Sequence, residues 1–437
     1  MRQLYKKEKI CVWGVGYIGF TTMVHFLKEG IDVIGYDTDE FTEEKLRNHK
    51  KIINLEFWLG FDYSYILNTE KFLITNDIAI IKHENPEIHF ICVPTELKGD
   101  PWDGALFETV DKIIDIEKCR KSKKVCILIE STMTPGTGKK ILKLLESKLP
   151  KKEIFFAVSP RRDWFLSGDK NLKNLVRVVG TNSDVSAEYF KGILSIICEN
   201  MVFASDYQHA EIVKSIENAY RHMDITLANQ LSSAFPDYNI REVLQLVGTK
   251  WNANTFYPSF GTGGYCIPLS SKYLLNACDP DLLTLLNNTV KFDDNRPLEI
   301  CQIIEKKHAK KIAFLGISYK ENIKVDKQSP ALKMINYFSK ISKEIYVNDV
   351  LYEESEIDID CKFKFFDCYD YETYKEFDAL VICTAHREYK ILKKDKLFAN
   401  LLGCKIIIDN VGLWYGYYEE LNRLTDYRVV GVNGWNK

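Results

Sequence analysis

The chain has 437 residues, enough for two or three domains, and its 46 % apolar and 27 % charged residues give a normal globular balance. A formal net charge of −2 offers neither nucleic acid nor an anionic membrane a reason to bind. Twelve cysteines without CxxC pairs or histidine clusters argue against a disulfide framework or a metal site, and fit a reducing, cytoplasmic setting.

The opening "MRQLYKKEK", followed by the apolar "ICVWGVGYIGFTTMVHFL", has the outline of a targeting signal. Three glycines at set spacing, then Lys28 and Glu29 with no small-residue cleavage site, make it a strand–turn–helix instead. No segment approaches the roughly 18 apolar residues of a membrane span. Residues 9–37 read as one βαβ unit: strand "KICVWG", helix "TTMVHFLKEG" closed by Gly30, strand "DVIGYD". Strands "IHFICVP", "KVCILIEST" and "LVRVVG" follow, with helices near 105–115 and 136–148, so an open, mostly parallel sheet is expected to about residue 203.

From Asp206 to Leu246 the pattern is helical, with residues 211, 214, 218, 222 and 225 on one stripe. A Gly-rich stretch interrupts it, and helical patterning resumes to about Lys307. "KKIAFLGISYK", "EIYVNDV", "DALVICT" and "KIIIDN" then form a second α/β block.

"GVGYIG" sets Gly14, Gly16 and Gly19 in the GxGxxG pattern, and Asp37 ends the next strand. The first glycine permits the tight turn, the second lets a pyrophosphate approach the backbone, and the third allows close helix–strand packing. A carboxylate at the position of Asp37 suits a ribose 2′-hydroxyl, so NAD is expected over NADP. Other polar residues are ambiguous by themselves. Thr95 in "CVPT" and Thr132 in "ESTMTPGT" follow strands and suit either ligand contact or ordinary turns. Lys214 and Asn218, four apart on a helix, read more readily as a solvated pair. Cys266, in "SFGTGGYCIPLSSKYLL", read alone is a buried structural thiol beside a hinge.

In order, GxGxxG, "CVPT", "ESTMTPGT", "AEIVKSIENAYRHMDITLANQL", "GTGGYCIP" and "GISYKENIKVDKQSPAL" resemble the UDP-glucose/GDP-mannose dehydrogenase family over nearly the whole chain. The resemblance implies an α/β fold in three parts. A Rossmann-type NAD domain takes 1–203. A long-helix domain with the cysteine loop and a homodimer contact takes 204–305. A Rossmann-like nucleotide-sugar domain takes 306–437. It also implies NAD-dependent oxidation of a nucleotide sugar, with UDP favoured, from C6 alcohol to carboxylate in two hydride transfers, in polysaccharide or capsule precursor synthesis.

Carried over by position, Cys266 is the nucleophile, Lys214 the oxyanion-stabilising lysine and Asn218 its partner. Thr132 holds the catalytic water. Cofactor contacts are implied at Gly14, Gly16, Tyr17, Ile18, Gly19, Asp37, Val93, Pro94, Thr95, Thr132 and Lys327, the last standing where the family has arginine. Substrate contacts are implied at Lys250, Tyr257, Phe260, Gly261, Gly263 and Lys320. The glycines before Cys266 are expected to let the loop approach the sugar.

Several positions depart from the family pattern. Ser270 stands where an aspartate four residues after the nucleophile is usual, and it cannot hold negative charge at neutral pH. In "SPRRDWFLSG" the family's glutamate aligns with Arg161 when anchored on Pro160, or with Asp163 when anchored on Gly168; the second alignment keeps a carboxylate and makes Asp163 the hydrolytic base. Gln230, and Lys324 with Val325, replace usual acidic residues. The alternatives are therefore a two-electron oxidation, thioester transfer to another acceptor, or a catalytically silent nucleotide-sugar binder.

Overall fold

The computed structural model describes residues 8–48, 56–164 and 168–436. Most of the basic opening segment and residues 165–167 of the 159–168 stretch lie outside them. The chain forms two compact units, one of Met1–Glu217 with Asn276–Cys278 and one of Asn218–Leu275 with Asp279–Lys437. The helical middle segment is thus divided, its first turns belonging to the first unit and the rest to the second.

The first unit is built on eight strands: β1 (Ile10–Trp13), β2 (Val33–Tyr36), β3 (Phe72–Thr75), β4 (Ile88–Ile91), β5 (Lys124–Ile129), β6 (Glu153–Val158), β7 (Arg177–Thr181) and β8 (Met201–Phe203). They lie in the order β8-β7-β6-β5-β4-β1-β2-β3, and every pair is parallel except β6 with β7. Strands buried on both faces must be apolar throughout. In β1, Ile10 and Val12 enter one core while Cys11 and Trp13 enter the other. The helix after β1, α1 (Tyr17–Lys28), begins earlier than the sequence pattern suggests, because the Gly16 carbonyl already accepts the Phe20 N–H at 2.8 Å. It ends at Gly30, whose φ of +80° a residue with a Cβ seldom adopts.

The second unit carries six parallel strands: β9 (Lys311–Leu315), β10 (Glu344–Asn348), β11 (Lys364–Phe365), β12 (Ala379–Ile382), β13 (Ile406–Asp409) and β14 (Asp426–Val429). Their order, β11-β10-β9-β12-β13-β14, is the 3-2-1-4-5-6 arrangement that β1 to β6 also show. Both sheets therefore open a crevice at the carboxyl ends of their first and fourth strands, where the strand order reverses.

Four further helices position the candidate site: α2 (Thr137–Lys148), α3 (Tyr207–Ala234), α4 (Ile240–Val247) and α5 (Cys266–Ala277). A fifth, α6 (Thr284–Glu305), packs in the second unit with Pro297 inside it. Apart from Ala210, Ala219 and Ala228, the buried residues of α3 are polar: Glu211, Ser215, Asn218, His222, Thr226, Asn229 and Ser232. The expected stripe holds at 211, 218 and 222, whereas Lys214 and Ile225 are only half-buried. Among the described residues, no helix is long and apolar enough to cross a membrane.

Candidate active site

In the first unit, the turn after β1 demands its three glycines for three different reasons. Gly14 has φ +82°, and a Cβ there would lie 2.8 Å from the Cys92 carbonyl oxygen at the end of β4. A Cβ on Gly19 would lie 1.8 Å from the Gly14 carbonyl oxygen, so only glycine lets α1 pack this close. A Cβ on Gly16 would meet nothing within 4 Å, leaving open approach to the backbone at the start of a twelve-residue helix. That cradle fits a pyrophosphate, drawn by the positive end of the helix. Asp37 takes the Val15 N–H at 2.6 Å and the Asp39 N–H at 3.0 Å, so it shapes the turn and keeps lone pairs for ribose hydroxyls. Tyr17 and Pro94 are exposed; Ile18 and Val93 are half-buried.

The loops after β4 and β5 are joined: the Thr95 hydroxyl donates to the Thr132 carbonyl, and Ser131 Oγ donates to the Val93 carbonyl at 2.7 Å. Glu211, in the first turns of α3, accepts the Gly138 N–H at 2.9 Å. The helix that carries Lys214 is thereby tied to the start of α2, directly after the Thr132 loop.

Asp163 has a buried side chain, 2 % exposed, whose Oδ2 accepts Arg161 Nε at 2.6 Å. Arg161 also donates to the Thr21 and Thr22 hydroxyls on α1. Behind it, burial pushes the Glu130 carboxyl up, but Arg177 and Arg161 outweigh this and hold it below the usual carboxylate range. The loop of residues 159–164 is thus held on α1 by the Thr21 and Thr22 hydroxyls and on the end of β5 by the Arg161–Glu130 charge pair, and Arg162 Nη2 reaches the Glu217 carboxylate of α3 at 2.5 Å.

In the second unit, Cys266 is exposed and is the first residue of α5. Its isolated reading as a buried structural thiol is therefore corrected. Asn218 Nδ2 donates to Ser270 Oγ at 2.9 Å and to the Cys266 carbonyl oxygen at 3.3 Å. Ser270 thus receives an amide hydrogen, a role its hydroxyl fills without charge.

The segment before Cys266 is not a hinge. The Ser259 N–H donates to Asn229 Oδ1 (2.7 Å), that of Phe260 to Asn410 Oδ1 (2.7 Å) and that of Thr262 to Asp293 Oδ1 (3.0 Å). The Gly264 N–H donates to the Lys327 carbonyl at 2.8 Å. The buried guanidinium of Arg296 holds the Ser259 carbonyl at 3.1 Å. The expected purpose of the glycines also changes. A Cβ on Gly263 would meet Tyr319 Cβ at 2.7 Å, and one on Gly264 (φ +75°) would meet the Tyr319 ring at 2.9 Å. These glycines let the segment pack on the loop after β9.

Phe260, expected to touch substrate, has its ring 1 % exposed inside the core, so its side chain is a packing residue. Gly261 has φ +123°, Tyr257 is 44 % exposed and Lys250 is exposed. Lys327, expected at the cofactor, lies exposed in the second unit and contributes its carbonyl to the Gly264 contact. Lys320 is half-buried, and burial together with Arg221 brings its ammonium down to about 8. An ammonium in that position is cationic below about pH 8 and loses its charge above it. If Lys320 binds a phosphate, KM for the nucleotide sugar is expected to rise as pH passes through about 8, and Lys320→Arg to remove the inflection. Initial rates across pH 6.5–9.5 would check this; a KM flat across that range would remove Lys320 from the anion site.

The turn after β9 repeats the solution used after β1. Gly316 has φ +91°, and a Cβ there would lie 2.1 Å from Thr384 Oγ1 at the end of β12. Asp349, after β10, accepts the Ile317 and Ser318 N–H groups at 2.9 Å, and His386 Nδ1 accepts the Asn322 N–H. Sequence reasoning missed Asp349 and His386, although an acid directly after the strand following a Gly turn was the signal already used for Asp37.

Three matches to family models cover these parts in order: the NAD-binding domain of the UDP-glucose/GDP-mannose dehydrogenase family at residues 8–197, its central domain at 208–292 and its UDP-binding domain at 313–415. The chain belongs to the UDP-glucose/GDP-mannose dehydrogenase family. Similar proteins include a UDP-N-acetyl-D-mannosamine dehydrogenase of Methanocaldococcus jannaschii, 29 % identical over 92 % of each chain. Protein CapL of Staphylococcus aureus is 26 % identical over 93 % of this chain and 96 % of its own. Among solved structures, the UDP-D-ManNAc dehydrogenase of Pyrococcus horikoshii is 25 % identical with a TM-score of 0.82, over 98 % of this chain and 100 % of that one. As a member of the UDP-glucose/GDP-mannose dehydrogenase family, the chain is an NAD-dependent nucleotide-sugar dehydrogenase. Its N-terminal sheet binds NAD and its C-terminal sheet the UDP moiety.

Proposed function

We propose that this dehydrogenase oxidises a UDP-linked N-acetylhexosamine, UDP-N-acetyl-D-mannosamine foremost, at C6 from alcohol to carboxylate. The relatives' substrates support the choice of sugar. The observation that carries the chemistry is Cys266, an exposed thiol opening a helix inside an otherwise fixed segment. Unsatisfied N–H groups in the first turn of a helix favour negative charge on a group placed there.

NAD, when bound, accepts a hydride in each of the two oxidations. The thiolate of Cys266 adds to the C6 aldehyde carbon, and the carbonyl oxygen becomes the alkoxide of a thiohemiacetal. The Lys214 ammonium stabilises that alkoxide. Loss of hydride from the same carbon re-forms the carbonyl as a thioester. Water, held by Thr132, then adds to the thioester, and the thiolate leaves as the carboxylate forms. Covalent attachment replaces a poor hydride donor, the planar aldehyde, with a tetrahedral one. Asn218 orients the first turn of α5 by holding the Cys266 carbonyl.

A homodimer fits the apolar side chains that the second unit leaves exposed on α3 and α4 and just after them: Tyr220, Leu227, Leu246, Val247 and Trp251, the last 92 % exposed.

One observation favours a second reading. Asp163 is enclosed and taken by Arg161, so its carboxylate is poorly placed as a hydrolytic base. Release of the thioester would then be slow, or directed to another acceptor. Incubating the full chain, its mass followed by light scattering, with NAD and a panel of UDP- and GDP-sugars decides between them. Two NADH per sugar with free uronic acid is the expected result. A burst of two NADH per enzyme that then stalls, with a stable acyl-enzyme by mass spectrometry, supports the second reading.

A further inference from the structure

We propose that His222 and Asp293 form a positioning couple for Cys266, fixing the segment that carries the thiol at both of its ends. The inference rests on the reading of Cys266 as the nucleophile. Asp293, on α6, is 4 % exposed and accepts both the N–H and the hydroxyl of Thr262, four residues before Cys266. His222, on α3, is 1 % exposed, and its Nδ1 lies 2.8 Å from Ser271 Oγ, five residues after Cys266. The couple is closed by His222 Nε2, 3.3 Å from Asp293 Oδ2, an ion-pair contact that lacks the alignment of a full hydrogen bond.

Each member has a reason to be where it is. Burial pushes the Asp293 carboxyl up, but His222 and Thr262 outweigh it and hold it below the usual carboxylate range, so it stays ionised. An ionised carboxylate only accepts, so any hydrogen bond across the His222–Asp293 edge has Nε2 as its donor. Pro297, four residues on in α6, has no N–H for the Asp293 carbonyl, which removes a helical bond at this turn. Gly261 leaves room: with φ +123°, a Cβ there would come within 3.3 Å of Asp293 Oδ1.

The arrangement also answers the departure at Ser270. That position carries no charge here, and the carboxylate nearest in sequence logic is absent. Asp293 brings a buried negative charge to the same segment by another route, from a helix outside the motif. His222 is one turn beyond Asn218 on α3. One helix therefore carries both the amide that holds the Cys266 carbonyl and the imidazole that holds the next turn of α5.

Misplacing a reacting group by an ångström from a distance can cost about 10²-fold in rate. Asp293→Asn and His222→Ala are therefore expected to lower kcat by roughly 10- to 100-fold while KM for NAD and for the nucleotide sugar stay within about twofold. His222→Asn, which keeps a polar group toward Ser271, should restore part of the loss. Thr262→Val removes the hydroxyl half of one tether and Ser271→Ala the side chain of the other, neither creating a buried charge. They should reproduce a smaller fall in kcat, and slower alkylation of Cys266 by iodoacetamide, even if the first two variants do not fold. Parent-like kcat and alkylation in Thr262→Val and Ser271→Ala would overturn the proposal. So would losses in all variants that track melting temperature alone, with no recovery in His222→Asn. Cys266→Ser separates the two levels. If it keeps parent activity, the nucleophile reading fails; if it is inactive while the tether variants are normal, only the positioning couple fails.

Discussion

Cys266→Ser is expected to cut steady-state NADH formation by roughly 10³-fold or more, with binding of NAD and nucleotide sugar retained. The substitution changes one atom on an exposed side chain, so folding is not at stake. The chemistry is. A serine hydroxyl at the head of α5 remains protonated at neutral pH, and an alkoxide is a poorer leaving group than a thiolate when water attacks the acyl carbon. The first hydride transfer does not need the thiol, so a single slow equivalent of NADH per sugar, with aldehyde trapped by hydroxylamine, is the residual activity to look for. A Cys266→Ser variant that forms two equivalents at the parent rate would remove Cys266 from the mechanism.

The second large effect is expected at Lys214. Lys214→Ala should lower kcat by about 10²–10³-fold, as removal of an oxyanion-stabilising donor does elsewhere, with little change in the dissociation constant for NAD measured by calorimetry. The position is half-buried and lies one turn after Glu211, whose carboxylate fixes this part of α3 to the start of α2. The ammonium is therefore delivered from an anchored backbone, and only the flexible stem adjusts. Lys214→Met keeps that stem and removes the charge, so it should be as slow as the alanine variant. If methionine restores activity, the lysine contributes packing and not charge.

Much of the fold was legible because the sequence wrote backbone demands in side-chain types. Gly14, Gly16 and Gly19 are readable since each is required by a different steric fact, and β1, β2, β4 and β5 are readable since a strand covered on both faces must be apolar, whereas β3 and β6 went unread. Even the start of α1 was placed too late only because its first turn contains the motif itself. The candidate site was legible where a motif names it, at Cys266, Lys214 and Asn218. It was not legible where polar residues are buried. On a helix, Asn229 and Asp293 look like solvated positions, and for His222 the stripe gave the face but not what the imidazole meets there. The same blindness made the residues before Cys266 look like a flexible hinge. Their glycines suggested freedom, whereas the acceptors that remove it, Asn229, Asp293, Asn410 and the Lys327 carbonyl, are scattered over nearly two hundred positions. Arg161 and Asp163 show the converse: an alignment recovered a carboxylate, and the structure gave it a cation to hold.

The polar seam of α3 has a mechanical consequence. A helix packed by leucines can slide or rotate against its neighbours and find another serviceable fit. Within the second unit, α3 instead meets Ser270 through Asn218, Ser271 through His222 and Ser259 through Asn229. A shift of one turn, about 5.4 Å, would break all three at once and strand their buried polar groups. The helix therefore behaves as a keyed shaft with one permitted setting. A single-residue insertion anywhere between 218 and 229 would rotate the keys out of their slots by about 100°, and no repacking of apolar side chains elsewhere would recover them.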